Sequence, residues 1–347
     1  MSKAYYIPDF QIIGIGYNAL NKSRDDLHHI YTSLGFIPLY EKKIVLNDEK
    51  VKYFASNTKI LGDYVSQILN LIEKRCEAGD YLFMDFPFSI KFAGYAKIVS
   101  FAKSQGVKVV CFIHDLDGVR FENPLMNMFD SSSLDNAYSL ISASDDMNEV
   151  LKTTFKLSRK VKIVNYEYWD YLADDYPNNL TDSLICFAGN LQKSSFLSKI
   201  PEELLIYGFN LYGKGLQKNY TGRFMGEYDP QELVKVLDGR FGLVWDGKAA
   251  ETCTGNFGKY LRINTSHKFA LYIASSKPVI VWKESPLCQI VEKKRIGFAV
   301  SSLYEILPTI SKMGLSTYYE YRNNVLNLRQ DIITGNHLKR VIFEAMK

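Results

Sequence analysis

One short segment in the second half of the sequence has the residue types of an anion-binding site. Residues 264–268 read Asn-Thr-Ser-His-Lys and directly precede apolar residues at helical spacing. Thr265 or Ser266 can cap that helix, which leaves backbone N–H groups that point at an anion. Lys268 would stand in the first turn, where the helix dipole disfavours a cation unless an anion lies beside it. The pattern predicts a phosphate-bearing ligand between Asp246 and Lys268, and an ordinary capped helix with a solvated lysine is the alternative.

A second candidate phosphate contact opens the second half of the chain. Gly189 follows an apolar run, Asn190 comes next, and Lys193 stands three residues further on. Glycine lets the backbone approach a ligand closely, and Lys193 could contact a phosphate. The pattern by itself favours a plain strand-to-helix turn. Near the N-terminus, Gly14 and Gly16 form only a fragment of the dinucleotide fingerprint, because the third glycine is missing.

Carboxylates follow two strongly apolar runs and are candidates for a catalytic base. Asp115 and Asp117 come just after the run Val107–Ile113, with His114 beside them. A carboxylate that faces a cleft can accept a proton from a substrate hydroxyl. The Asp-x-Asp spacing also resembles a metal-binding motif, and capping of the following turn is the simpler alternative. Asp246 has the mirrored position in the second half, where it could act as the base, hold a sugar hydroxyl or begin a turn.

Composition and the remaining motifs exclude several other classes of protein. The 347 residues are 47% apolar and 23% charged, with a net charge of +4 and without the charge blocks of a nucleic-acid-binding protein. Five widely spaced cysteines form neither a disulfide framework nor a zinc motif, which predicts a reducing cytoplasm and no bound metal. We find no nucleophile elbow, P-loop, signal peptide or membrane-spanning apolar run. The histidines His28, His29 and His337 are interpreted as ordinary residues of helix faces.

The candidate residues stand between segments that read alternately as strands and as helices along most of the chain. That alternation predicts a doubly wound parallel sheet in each half. The predicted elements include a helix at Asn190–Lys199 and a strand at Glu203–Tyr207, and Leu303–Lys347 is predicted to be helical. This alternation of strands and helices is interrupted at residues 166–181. We therefore predict an N-terminal Rossmann-like domain at 1–165, a linker at 166–181, a C-terminal Rossmann-like domain at 182–330 and a C-terminal helix at 331–347.

Several blocks of the sequence resemble one family of bacterial enzymes. The blocks are FIHDLDGVR at 112–120, FAGNL at 187–191, FGLVWDG at 241–247, ETCTGNFGKYL at 251–261, NTSHK at 264–268 and RIGFAV at 295–300. They are similar to β-1,6-galactofuranosyltransferases of O-antigen and polysaccharide assembly. More distantly, they resemble the third glucosyltransferase of streptococcal serine-rich adhesin glycosylation. The resemblance covers nearly the whole chain and is densest in the second half.

This resemblance implies a GT-B glycosyltransferase, an α/β protein with two Rossmann-like domains that face a cleft. The second domain would hold a UDP-sugar and the first the acceptor. The diphosphate would be held by Lys268 and by the backbone of Asn264, Thr265 and Ser266. Further nucleotide contacts are expected at Asn190 and Lys193 and in the loop that contains Gly16, Asn18 and Ala19. Lys193 stands where the distant relatives carry an arginine, which would hold phosphate bidentately.

The reaction that the resemblance implies is transfer of galactofuranose from UDP-galactofuranose to a sugar hydroxyl of a glycan, glycolipid or glycoprotein. No cofactor and no metal are expected, because lysine and helix N–H groups can neutralise the leaving diphosphate. Asp115 is the expected base and Asp246 the second choice. One alternative is a transferase that uses UDP-glucose or UDP-GlcNAc to extend glycans on a serine-rich adhesin. Another is a non-catalytic sugar-nucleotide-binding scaffold subunit. A homo-oligomer is expected, in the cytoplasm or in peripheral contact with the inner face of the membrane, and no nucleic-acid partner.

Overall fold

The protein consists of two compact units. The computed structural model describes residues 2–8, 11–13, 19–40, 45–47, 58–87, 93–175 and 182–347. The first unit contains the described residues within 1–16, 24–166 and 338–347, and the second contains those within 17–23 and 167–337. The proposed linker, where it is described, belongs to the second unit from Glu167 onward. The C-terminal segment belongs to the first unit from Leu338 onward.

The first unit is built around a six-stranded parallel sheet with the strand order β3-β1-β5-β6-β7-β8. A separate parallel pair joins β2 to β4. The strands are β1 (Ala4–Tyr6), β2 (Gln11–Ile13), β3 (Ile37–Pro38), β4 (Val45–Asn47), β5 (Tyr81–Phe86), β6 (Lys108–Ile113), β7 (Ser139–Ser142) and β8 (Lys162–Asn165). Every residue of β5 is buried, as expected for a strand that is covered on both faces.

Helices connect these strands, and two of them begin at polar caps. They are α1 (Ala19–Ser33), α2 (Thr58–Arg75), α3 (Ala93–Ser104), α4 (Asp117–Arg120), α5 (Pro124–Leu134) and α6 (Asp145–Thr153). The Ser144 hydroxyl accepts a hydrogen bond from the backbone N–H of Met147, so Ser144 caps the start of α6. Asn123 caps α5 in the same way, with Pro124 at the first helical position.

The second unit contains a second six-stranded parallel sheet, with the order β11-β10-β9-β12-β13-β14. Its strands are β9 (Ile185–Ala188), β10 (Phe209–Tyr212), β11 (Arg223–Gly226), β12 (Phe241–Val244), β13 (Val279–Trp282) and β14 (Gly297–Val300). Its helices are α7 (Glu202–Ile206), α8 (Pro230–Val236), α9 (Gly255–Tyr260), α10 (His267–Ala274), α11 (Leu287–Lys294), α12 (Ile306–Lys312) and α13 (Leu315–Ile333). The two doubly wound sheets confirm the predicted fold class.

The last helix, α14 (Asn336–Met346), returns to the first sheet. The Tyr81 hydroxyl donates to the Met346 carbonyl at 2.6 Å, and the Ser139 hydroxyl donates to the Ala345 carbonyl at 2.8 Å. The C-terminal end of the chain is thereby attached to β5 and β7. Among the described residues, no helix combines the length and the apolar character that crossing a bilayer requires.

Two predicted elements between β9 and β10 are wrong. The predicted strand Glu203–Tyr207 is helix α7, because Pro201 and two glutamates form a favourable helix start. Ile206 is 80% exposed, whereas the true strand β10 is fully buried. The predicted helix Asn190–Lys199 is instead two short 3-10 segments, Leu191–Lys193 and Ser195–Lys199. The prediction also omits β11 and β14.

Strand order identifies one switch point in each sheet. In the second sheet the chain runs from β9 outward to β11 and then from β12 outward to β14, so the order reverses between β9 and β12. In the first sheet it reverses between β1 and β5. Parallel α/β sheets bind ligands beyond the carboxyl ends of the strands at such points. These two edges are therefore where functional side chains are expected.

Candidate functional site

Two predicted site residues contact each other at the switch point of the second sheet. Ser266 caps α10, and its hydroxyl accepts from the backbone N–H of Lys268 at 3.3 Å. Lys268 is the second residue of α10, and its Nζ donates to Asp246 Oδ2 at 2.9 Å. Asp246 lies two residues beyond the end of β12. The cation that the helix dipole disfavours is thus stabilised by a carboxylate from the neighbouring strand end.

Gly189 makes room for the Lys268 side chain. A Cβ atom at Gly189 would lie 3.0 Å from Lys268 Cε, which is closer than ordinary contact. The Nζ of Lys268 lies 5.4 Å from the centre of the Phe187 ring. Gly189 follows β9 directly, so the lysine lies across the carboxyl ends of both strands that flank the switch point. The sequence pattern favours a plain strand-to-helix turn at Gly189, with ligand approach as the alternative, and the structure shows that the missing Cβ accommodates the Lys268 side chain.

The residues before α10 are held by specific hydrogen bonds. Asn264 Oδ1 accepts from the backbone N–H of Thr265 at 2.9 Å, and Trp169 Nε1 donates to the Thr265 carbonyl at 3.2 Å. Thr265 is 1% exposed, and its hydroxyl has no hydrogen-bond partner among the described residues. The turn is therefore fixed by its backbone, and a buried hydroxyl is available beside the helix start.

The other predicted nucleotide contacts have their own surroundings or lie outside the described residues. Lys193 Nζ lies 5.3 Å from the centre of the Phe257 ring, and the Asn190 side chain makes no capping bond to the segment that it precedes. Ala19 is the first residue of α1. Gly16 and Asn18 lie outside the described residues.

In the first unit, the two predicted carboxylates share one arginine. Arg120 Nη1 donates to Asp115 Oδ2 at 2.7 Å and lies 3.8 Å from Asp117 Oδ1. Arg120 ends α4, the short helix that follows β6. Among the described residues, no group of three or more potential ligands is arranged to hold a metal ion. The Asp-x-Asp spacing therefore places two carboxylates beside the guanidinium of one arginine.

A buried cluster around Asp85 is the site feature that the sequence interpretation misses. Asp85 is 1% exposed, and its oxygens lie 2.9 Å from His28 Nε2, 3.4 Å from His114 Nε2 and 3.7 Å from Arg24 Nη1. Burial alone would raise the pKa of Asp85, but the two imidazoles outweigh it and hold that pKa well below its usual range. His28 does lie on a helix face, as predicted, but this face packs on a buried acid. The available signal is an aspartate within the apolar run YLFMDF.

Asp130 on α5 gives a prediction about stability and pH. Burial, followed by the charge of Asp117, raises the pKa of Asp130 to about 7. The folded state therefore favours the neutral acid, and stability falls as the pH rises from about 4, the unfolded pKa, to about 7. We expect Asp130→Asn to stabilise the protein at pH 8 by on the order of 1–3 kcal/mol and to have little effect at pH 4. Thermal unfolding at both pH values measures this, and an equal effect at both would contradict it.

Two protein-family models match the chain. The model described as "Glucosyltransferase 3-like, N-terminal domain" matches residues 9–166, and "Glucosyltransferase 3-like, C-terminal domain" matches residues 185–345. The chain is 30% identical over 303 residues to the β-1,6-galactofuranosyltransferase WbbI of Escherichia coli K12, covering 84% of this chain and 88% of that protein. It is 25% identical over 258 residues to glucosyltransferase 3 of Streptococcus parasanguinis, covering 72% of this chain and 74% of that protein.

A solved structure shares the architecture of the whole chain. The sucrose-phosphate synthase of Thermosynechococcus elongatus has a TM-score of 0.60 and 13% sequence identity, covering 99% of this chain and 100% of that chain. At 13% sequence identity, this structural similarity shows a shared fold and nothing about function. Together with the two parallel sheets, it confirms the GT-B fold expected from the sequence.

Proposed function

Because the chain belongs to the glucosyltransferase 3-like family, it is a glycosyltransferase, and we propose that it transfers galactofuranose from UDP-galactofuranose to a sugar hydroxyl of a glycan. The name of the Escherichia coli relative supports both this sugar and a β-1,6 linkage. The observation that carries the proposal of a diphosphate donor is the Lys268–Asp246 pair at the start of a capped helix. A cation at the positive end of a helix suits a diphosphate.

The proposed chemistry is displacement at the anomeric carbon with UDP as the leaving group. Negative charge grows on the diphosphate as the glycosidic bond breaks, and Lys268 with the positive end of helix α10, capped by Ser266, would neutralise it without a metal. Of the backbone N–H groups expected to help, those of Asn264 and Thr265 are already bonded, to the Tyr260 carbonyl at 3.1 Å and to Asn264 Oδ1 at 2.9 Å. Lys193 and Asn190 would provide further nucleotide contacts. The acceptor hydroxyl must lose a proton if the reaction inverts the anomeric configuration. Asp115 and Asp246 are the carboxylates proposed from the sequence for that step.

A donor screen tests this proposal. The full chain is incubated with an acceptor glycan and, in parallel, with UDP-galactofuranose, UDP-glucose or UDP-GlcNAc, and released UDP and the product linkage are measured. We expect UDP release and a β-1,6 product only with UDP-galactofuranose, unchanged when EDTA is added. No product with UDP-galactofuranose would refute the proposed donor, and loss of the rate in EDTA would refute the metal-free mechanism.

A second candidate function is favoured by the streptococcal relative, which is named glucosyltransferase 3. In this alternative the enzyme uses UDP-glucose or UDP-GlcNAc to extend glycans on a serine-rich adhesin. Turnover with UDP-glucose and a glycosylated adhesin fragment would select it. Binding of UDP without turnover on any donor and acceptor would instead indicate a scaffold subunit.

A further inference from the structure

The buried cluster around Asp85 lies where the first unit is expected to bind a ligand. Asp85 is the fifth residue of β5, one of the two strands at the switch point of the first sheet. His114 follows directly after β6, the neighbour of β5. Both residues are at carboxyl ends of parallel strands, the edge at which α/β sheets place their functional side chains.

The two oxygens of Asp85 have different partners. Oδ2 accepts from His28 Nε2 of helix α1 at 2.9 Å and lies 3.7 Å from Arg24 Nη1 of the same helix. Oδ1 lies 3.4 Å from His114 Nε2. Helix α1 therefore fixes the carboxylate, and the carboxylate in turn orients the imidazole at the end of β6. A buried carboxylate that orients a histidine is the arrangement that sets the tautomer of a general base and stabilises the imidazolium that forms.

We propose that His114 takes the proton from the acceptor hydroxyl and that Asp85 is a positioning residue that acts through it. This inference rests on the proposed function. The acceptor oxygen bonds to the anomeric carbon, and its proton passes to His114 Nδ1, since Nε2 faces Asp85. The bond from the anomeric carbon to the diphosphate oxygen breaks, and its electron pair leaves with UDP. The imidazolium, held beside the Asp85 carboxylate, later releases its proton to solvent.

The two carboxylates proposed from the sequence are less suited to this step. Asp115 is bonded to Arg120 at 2.7 Å, and Asp246 to Lys268 at 2.9 Å. A cation already bound to a carboxylate oxygen stabilises the charged form and makes it a weaker proton acceptor. His114 faces a carboxylate instead, which stabilises the imidazole once it has gained a proton.

The other titratable groups that face Asp85 do not compete near neutral pH. Tyr31 on α1 and Tyr95 on α3 interact with Asp85, and Cys111 on β6 interacts with both tyrosines. Burial raises the pKa of both tyrosines and raises that of Cys111 to about 12, so all three stay neutral. The depressed pKa of Asp85 keeps this carboxyl negative. Imidazole is the side-chain type that changes charge between pH 5 and 8.

Kinetics of His114→Ala test the inference, with His29→Ala as a matched control, because His29 is an exposed histidine on α1. We expect His114→Ala to lower kcat about 100- to 10,000-fold, with UDP affinity unchanged, and added imidazole to restore part of the rate. Asp85→Asn should lower kcat by less. The wild-type kcat should fall at acidic pH within the range from about pH 5 to 8 in which imidazole side chains change charge. His29→Ala should behave as the wild type.

Two results would overturn the inference. One is a His114→Ala rate close to that of the wild type, together with loss of activity in Asp115→Asn. The other is a wild-type acidic limb near pH 4, which is typical of a carboxylate base. If Asp85→Asn does not fold, thermal unfolding will show it, and His114→Ala with imidazole still decides the question. A wild type that turns over no donor refutes the proposed function itself, which is a separate outcome.

Discussion

Lys268→Ala lowers kcat/KM for sugar transfer by at least about a hundredfold and weakens UDP binding, in a protein that remains folded. The variant removes the cation that lies across the ends of β9 and β12, bonded to Asp246 at 2.9 Å. Without it, the departing diphosphate loses the cation proposed to neutralise it at the start of α10, and Asp246 loses the lysine to which it is bonded. The side chain packs over Gly189 and Phe187, but it is partly exposed, so the loss of stability should be small.

Lys259→Ala is the matched control for this prediction. Lys259 is an exposed lysine on α9 in the same unit, so its removal changes the net charge equally. Calorimetry with UDP and initial rates of transfer measure both variants, and thermal unfolding checks that they fold. Lys259→Ala should bind and react as the wild type does. Unchanged UDP binding by Lys268→Ala would refute the assignment of this lysine to the diphosphate.

Gly242→Ala destabilises the second unit by at least about 3 kcal/mol, a fall in Tm of roughly 6 °C or more. Gly242 lies in β12, and a Cβ atom there would meet the ring of Tyr272 on α10 at 2.1 Å from Cγ. The ring cannot move aside easily, because Tyr272 is fully buried and its hydroxyl is bonded twice. It donates to the Leu243 carbonyl at 3.0 Å and accepts from the Ala188 backbone N–H at 2.9 Å.

The same change should disturb the site. Tyr272 joins α10 to β9 and β12, and α10 carries Lys268 in its first turn. A displaced α10 therefore moves the lysine away from Asp246, and UDP binding should weaken together with stability. Gly62→Ala is the control, since a Cβ atom at this exposed position in α2 meets nothing within 4 Å. That change should stabilise by about 0.5–1 kcal/mol. A Gly242→Ala protein with the wild-type Tm would show that the strand and helix can separate at little cost.

The parts of the site that sequence predicted are those with local causes. Ser266 caps α10 and Lys268 follows in its first turn, because a cap depends on residues within one turn. Asp229 and Ser144 cap their helices for the same reason. The error at Glu203–Tyr207 has a local cause too. The apolar residues of this segment fit a strand, but the proline and the two glutamates that precede them favour a helix. The buried strand of this region is β10, which follows the helix.

The sequence by itself determined the alternation of strands and helices, the caps and the position of candidate charges at strand ends. Only the tertiary structure decided which of those charges meet. Lys268 and Asp246 are 22 residues apart, and His28 and Asp85 are 57 apart. These contacts depend on which strands are neighbours in each sheet, and an apolar run does not specify its neighbours. For the same reason the sequence marked Asp85 only as an acid within an apolar run, whereas in the fold it is a buried acid with two histidines within 3.4 Å.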